Sequence, residues 1–291
     1  MGSAVRGHFI WHDLLTTHPP AAIAFYGKVI GWRSKPWERD PSYRFLMAGD
    51  APVGGVITLP DESKRMGTPP NWLPYVGTDD AEVAAWEAQR LGGRVIRDTA
   101  PLPPGGKFAV LADPQGAVFA AFEPGPLPGK GLAPRQAFSW HELATTDPAS
   151  AFRFYSALFG WKKTRSFDMG PELGPYQMFG FTGRGIGGMY RKPADMPGPP
   201  TWASYIRVSD ATATGKAAQR AGATIINGPM EVPGGDWITM ATDPQGAVFA
   251  VHSLKRAGVK KAPERASRRL KTSKPKKATR KPAKKGRTRR R

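Results

Sequence analysis

The strongest constraint on this chain is a stretch, Asp113-Pro114-Gln115-Gly116-Ala117-Val118-Phe119-Ala120, that recurs letter for letter at 243–250. An octapeptide repeated 130 positions apart marks a duplication, so the two halves must share one fold. In each copy Asp, Pro and Gly take the first, second and fourth places of a type I turn. The Ala-Val-Phe-Ala that follows is a short uncharged run suited to a buried closing strand. With 291 residues, each half is long enough to bury a core without disulfide or metal staples. The chain has no cysteine, which excludes disulfides, thiolate catalysis and Cys-ligated zinc or iron–sulfur centres.

Upstream of the repeat the halves keep step. Residues 9–17 read as a strand and 19–30 as a helix, with Ala22, Tyr26, Val29 and Ile30 on one face and Gly31 at its end. Residues 138–146 and 148–159 repeat the pattern. Asp147 is the N-cap there where the first copy has His18, so the first helix is expected to be the more weakly capped. Short apolar runs follow at 43–47, 53–59, 176–181 and 186–190, then Pro-rich links at 68–70 and 197–200. Beyond the links the pattern restarts, with strands at 72–76 and 202–208 and helices at 81–91 and 211–221. The result is four βαβββ-like modules, and an α+β fold class. Domains are expected over 6–123 and 136–254, joined by a Pro/Gly-rich linker at 124–135 and followed by a basic tail at 255–291.

The formal charge of +20 belongs to that tail. Residues 255–291 hold 19 Lys or Arg against the single acid Glu264, which leaves 24 basic and 22 acidic residues in the body. Lacking apolar residues to bury, the tail is expected to be disordered. No apolar run approaches the roughly 18 residues of a membrane span, and residues 1–10 lack a signal-peptide core. A soluble cytoplasmic protein is therefore expected, with nucleoid association open.

Phe25-Tyr26…Gly31-Trp32 and Phe154-Tyr155…Gly160-Trp161 after the first strands, with Asp-Pro-Gln-Gly before the last, resemble the vicinal-oxygen-chelate superfamily. That group holds glyoxalases, bleomycin- and fosfomycin-resistance proteins and extradiol dioxygenases. The resemblance covers about 6–123 and 135–254, and the Trp-x-Asp/Glu-Leu opening is most similar to tandem two-domain members. It implies two tandem domains, each of paired βαβββ modules curved into a cupped, incompletely closed barrel. In members with a metal, the ligand positions carry over here onto Trp11 and Trp140, Leu73 and Ala203, and Ala120 and Ala250. The strands ending the first modules carry no carboxylate at Val56-Ile57-Thr58 or Gly188-Met189-Tyr190. Indole and alkyl groups do not ligate divalent ions, so no family-type metal site and no cofactor is expected.

Strand alternation puts Asp13 and Glu142 inward beside Trp11 and Trp140, with Tyr75 and Tyr205 on the facing strands and His252 on the parity of Ala250. An aromatic wall, one acid and one phenol per half suit a planar or cationic small organic molecule. The competing reading is that Asp13 and Glu142 only satisfy backbone donors or close the interface between modules. His12 and His141 fall on the opposite parity and are expected to pack against the helix with hydrogen bonds, while His8 reads as an exposed strand-edge residue. Gln115 and Gln245 read as exposed turn residues, and Gly54-Gly55 and Gly187-Gly188 as bulges or sites of close backbone approach. The Gly183-x-Gly185-x-Gly187-Gly188 run lacks the helix a phosphate-binding loop requires.

In the tail, Lys274, Lys276, Lys277, Lys281, Lys284, Lys285, Arg289, Arg290 and Arg291 stand among prolines and alanines, similar to the arms of linker histones and histone-like bacterial proteins. Sequence-independent nucleic-acid binding is expected, against the alternative of a merely solvating extension. The expectation as a whole is a metal-independent small-molecule binder, monomeric or homodimeric, that makes no membrane contact and carries a nucleic-acid-binding tail. The alternative is a lyase, isomerase or oxygenase of the superfamily with relocated ligands. A third reading makes the body a structural module of the nucleoid.

Overall fold

The structure, a computed structural model, describes residues 5–102, 105–125 and 137–255. The tail residues from 256 on, Lys274 to Arg291 among them, and the linker residues 126–136 lie outside the described residues. The first half runs β1 (Phe9–Thr16), α1 (Pro19–Ile30), β2 (Arg33–Trp37), β3 (Asp40–Ala48), β4 (Ala51–Thr58), α2 (Asp61–Arg65), β5 (Asn71–Gly77), α3 (Ala81–Arg90), β6 (Arg94–Leu102), β7 (Gly106–Ala112) and β8 (Val118–Glu123). The second runs β9 (Phe138–Thr145), α4 (Pro148–Phe159), β10 (Lys162–Asp168), β11 (Pro175–Phe181), β12 (Arg184–Arg191), β13 (Thr201–Arg207), α5 (Ala211–Arg220), β14 (Thr224–Glu231), β15 (Trp237–Thr242) and β16 (Val248–Ser253).

Each half is one eight-stranded open sheet, ordered β2-β3-β4-β1-β5-β8-β7-β6 and β10-β11-β12-β9-β13-β16-β15-β14. Within a module the first strand pairs in parallel with the last, and two modules join where β1 meets β5, and β9 meets β13, antiparallel. Every module has three strands after its helix. The first of these, β2 and β10, are not apparent in the sequence because they are edge strands. Their side chains are mostly exposed, and Pro36 interrupts the alternation in β2.

His18 caps α1 through Nδ1, which accepts from the Ala21 N–H at 3.1 Å, close to the 3.0 Å between Asp147 and Ser150 N. The expected weakness is therefore one of acceptor charge, not of geometry. Gly31 and Gly160 end the two helices in the left-handed conformation, φ 84° and 76°, that glycine adopts without strain.

The apolar cores are shared between halves. One core unites α1, Trp32 and Trp72 of the first half with Ile206, Ala247, Phe249 and Val251 of the second. The other unites Phe119 and the α3 alanines with Phe154, Tyr155, Trp161 and Trp202. The helices lie on the sheets of their own halves and meet across the halves in pairs, α1 with α5 and α3 with α4. The repeated turn is tied into this arrangement: the Tyr26 hydroxyl donates to Asp243 Oδ2 and the Tyr155 hydroxyl to Asp113 Oδ2, both at 3.1 Å. Trp72 and Trp202 in turn donate to those hydroxyls at 3.0 Å. The duplicated Asp is a buried interface acceptor, while Oδ1 of the same side chain holds the turn's own N–H groups at 115 and 117, and at 245 and 247. Gln115 and Gln245 are half-buried rather than exposed.

His12 and His141 do not pack on helices. They point away from the cups and meet each other between the halves, Nε2 to Nε2 at 2.8 Å. His8 is partly covered, its ring 4.6 Å from that of Phe181. None of the described helices is long and apolar enough to cross a membrane.

Candidate functional site

Two smaller apolar clusters lie on the sheet faces turned away from the shared cores. The first contains Trp11, Leu73, Tyr75, Phe108, Ala120 and Phe122, and the second Trp140, Ala203, Tyr205, Ile238, Met240 and Ala250. The structure thus gathers all six positions that the family resemblance marks as metal seats onto these faces.

At the centre of the first cup sits Asp13, 5% exposed. Its Oδ1 accepts from Trp11 Nε1 at 2.9 Å and from the Tyr43 hydroxyl at 2.6 Å, and its Oδ2 accepts from the Tyr75 hydroxyl at 2.7 Å. Alternation along β1 and the β1–β5 register, Trp11 opposite Tyr75 and Asp13 opposite Leu73, bring these groups to one face. Burial pushes the Asp13 carboxyl above its usual range, and the Tyr43, Tyr75 and Trp11 hydrogen bonds pull it back. Burial and the Asp13 charge hold both phenols well above theirs, so they remain donors.

The second cup repeats the design with a longer acid. Glu142 Oε2 accepts from the Tyr176 hydroxyl at 2.9 Å and Oε1 from the Tyr205 hydroxyl at 3.0 Å. The extra methylene carries the carboxylate past Trp140, whose Nε1 donates to Tyr176 instead, at 2.8 Å. Glu142 therefore has two donors where Asp13 has three, and it is partly exposed. Its carboxyl is raised by burial and lowered by Tyr176 and Tyr205. Tyr190 stacks on Tyr176 with ring centroids 6.3 Å apart.

Tyr43 and Tyr176 were not among the expected site residues. Both lie two positions before the residue opposite the second glycine of a Gly-Gly pair, as Phe45 faces Gly55 and Met178 faces Gly188. Those glycines are needed there. A Cβ at Gly55 would collide with the Tyr43 hydroxyl and Asp13, one at Gly188 with the Tyr176 ring, and ones at Gly54 and Gly187 with the carbonyls of His12 and His141. Matching Tyr43 to Tyr176 through the paired glycines is the signal that finds them.

His252 does not share in either carboxylate. It stands at the end of β16, with Nδ1 2.8 Å from Ser139 Oγ and Nε2 3.1 Å from Asp236 Oδ2.

The donor set does not suit the metal that the fold family implies. Each cup offers one carboxylate with both oxygens already accepting hydrogen bonds. Its marked seats are indole, isobutyl or methyl, and among the described residues no three His, Asp or Glu side chains converge.

Residues 10–122 match the model of the glyoxalase-like domain, and residues 137–251 that of the glyoxalase/bleomycin resistance protein/dioxygenase superfamily. The chain carries two tandem glyoxalase-superfamily domains. CFP32 of Mycobacterium tuberculosis, provisionally named a glyoxylase, is 43% identical over 122 residues, 41% of this chain and 45% of that protein. The chain thus matches less than half the length of that relative. The anthracycline biosynthesis protein DnrV of Streptomyces peucetius is 26% identical over 274 residues, 84% of this chain and 92% of that one. In fold, this glyoxalase-superfamily pair is similar to the Mn(II)-bound glyoxalase of Novosphingobium aromaticivorans (TM-score 0.59, 15% identity, 88% of this chain and 84% of that one). It is equally similar to the 2,3-dioxygenase LapB of Pseudomonas sp. KL28 (TM-score 0.59, 12% identity, 88% and 94%).

Proposed function

We propose that the cups bind a planar aromatic molecule carrying a hydroxyl or amino donor, without a metal, and that the second cup is the open one. The observation that carries this reading is the carboxylate of Glu142, clasped by two phenols beside Trp140 with acceptor capacity to spare. An aromatic plane finds the partly exposed Trp140 and Tyr176 to stack on, and its donor reaches an acid that water solvates poorly. In the first cup the counterpart acid, Asp13, already accepts from three donors and is 5% exposed, which on this reading closes the site. The name of DnrV, a relative over most of both chains, places that protein in the making of a planar polycyclic compound class, which agrees with this ligand shape.

The test is titration of chelator-treated full-length protein with a hydroxyanthraquinone, followed by tryptophan fluorescence. Saturable quenching is expected, indifferent to added Mn(II) and lost in Trp140→Phe. Binding that appears only with Mn(II) or Fe(II), or stoichiometric metal restored after chelation, overturns the reading in favour of a metal-dependent enzyme.

The run of 19 basic residues at 255–291 supports a second proposal, that the chain also holds nucleic acid through phosphate neutralisation.

A further inference from the structure

The second half contains a hydrogen-bonded series that the first half lacks. Ser139 sits in a bulge of β9, skipped where Phe138 pairs with Ile206 and Trp140 with Tyr205. Its Oγ lies 2.8 Å from His252 Nδ1 and, more loosely, 3.3 Å from the Tyr205 carbonyl oxygen, and His252 Nε2 lies 3.1 Å from Asp236 Oδ2, whose Oδ1 accepts from the Lys255 N–H at 2.8 Å. The corresponding residues of the first half are Ile10, Phe122 and Gly106. Ile10 and Phe122 pack there in the apolar cluster of the cup. Neither fold nor duplication requires the polar series, so it is an addition to one half. Ser139 also lines a shallow surface cleft with His8, Phe9, Phe138 and Arg184.

We propose that Ser139, His252 and Asp236 form a nucleophilic relay that takes small activated carboxylic esters. An ionised carboxylate only accepts, so Asp236 fixes the imidazole proton on Nε2 and leaves Nδ1 bare toward the Ser139 hydroxyl. Ser139 Oγ then adds to the ester carbonyl carbon as its proton passes to Nδ1. The bond from that carbon to the alcohol oxygen breaks, and Nδ1 returns the proton to the departing alkoxide. Water repeats the sequence on the acyl-serine, releasing the acid and restoring the hydroxyl. Asp236 touches no substrate and is a positioning residue. The relay goes beyond the cup reading and does not rest on it.

Full-length protein treated with diisopropyl fluorophosphate, which phosphorylates activated serines with loss of fluoride, tests the relay through mass mapping of the digest. The expected adduct is on Ser139, and Ser139→Ala removes it. Asp236→Asn, which no longer fixes the tautomer, and His252→Gln, which keeps hydrogen-bond reach but has no base, are each expected to label about a hundredfold more slowly. Near-UV circular dichroism reports whether each variant is folded, and either folded variant suffices. Hydrolysis of p-nitrophenyl acetate should fall in the same order. An unlabelled Ser139 in the native protein, or labelling of a folded variant at the native rate, overturns the proposal.

Discussion

His12 Nε2 lies 2.8 Å from His141 Nε2, so equivalent residues of the two halves share one proton across the interface. Phe9 stacks on His141 at 3.6 Å and Phe138 on His12 at 3.7 Å, which seals the pair from water. Burial lowers His12, with His141 adding to the effect, and burial brings His141 down to about 3. In the unfolded chain each takes up a proton near its ordinary value of about 6.5. The unfolded state therefore binds more protons below that pH, and stability is complete above it and lost as pH falls.

The slope is about 1.4 kcal/mol per pH unit for each histidine at most, so urea unfolding between pH 7.5 and 5 should show a steep loss. Asp13, Glu142, Asp113 and Asp243 work in the opposite sense. Their raised folded values let the native state take up protons in acid and soften the loss at the lower end. Replacing both histidines with Gln, whose amides can bond to each other, should flatten the profile between pH 6.5 and 5. A profile that stays as steep assigns the acid sensitivity elsewhere.

Tyr26 and Tyr155 are expected to be worth more than core rings of their size. Tyr26→Phe leaves the buried Asp243 Oδ2 without its donor and Trp72 Nε1 without its acceptor. The cost should be about 2–3 kcal/mol in urea unfolding, and Tyr155→Phe should match it through Asp113 and Trp202. Because each core is built from both halves, native protein should unfold in a single transition. A chain ending at residue 125 should not give a folded monomer, since it exposes Phe25, Tyr26 and Phe119 together. Two separable transitions would show that the halves hold their cores alone.

Much of this was legible in the sequence. Repetition gave the duplication and the four modules, and period-two alternation placed Trp11, Asp13 and Tyr75 on one face because a strand leaves side chains no third choice. Alternation says which face a residue takes but not what lies opposite that face. His12 and His141 were therefore expected against a helix, when a second sheet stands there instead. Tyr26 and Asp243 are 217 positions apart, and no local pattern announces a bond across that distance. Tyr43 and Tyr176 escaped because their strands enter the cup from its side, a matter of register rather than of spacing to β1.

Gly55→Ala and Gly188→Ala test whether the phenols hold the carboxylates as close as the fold implies. Each new methyl meets a phenol that cannot retreat without releasing its acid. Overpacking of this kind should cost about 1–3 kcal/mol. Gly188→Ala should in addition abolish anthraquinone quenching, whereas Gly55→Ala, in the closed cup, should leave it intact. Equal losses of binding in both would refute the assignment of the open site.

Tyr176→Phe removes a hydrogen bond that lowers the Glu142 carboxyl, so that group should titrate at higher pH than in the native protein. Carbon-13 NMR of labelled glutamate reads the shift directly. A fall, or no movement, would mean that the phenol does not donate to Glu142 in solution.

The tail's charge makes the last expectation quantitative in salt. Phosphate neutralisation by Lys and Arg releases condensed counterions, so the affinity for duplex DNA should fall linearly on a log–log plot with a slope of about −0.9 per phosphate engaged. Sequence should matter little, since contacts to phosphate carry no sequence information. Full-length protein and a chain ending at Leu254 are compared by fluorescence anisotropy on two unrelated duplexes between 50 and 300 mM salt. The body is nearly neutral, with 24 basic and 22 acidic residues, so the shortened chain should bind weakly and with a shallow slope. Equal affinity of the two chains at moderate salt would move nucleic-acid binding into the body or remove it altogether.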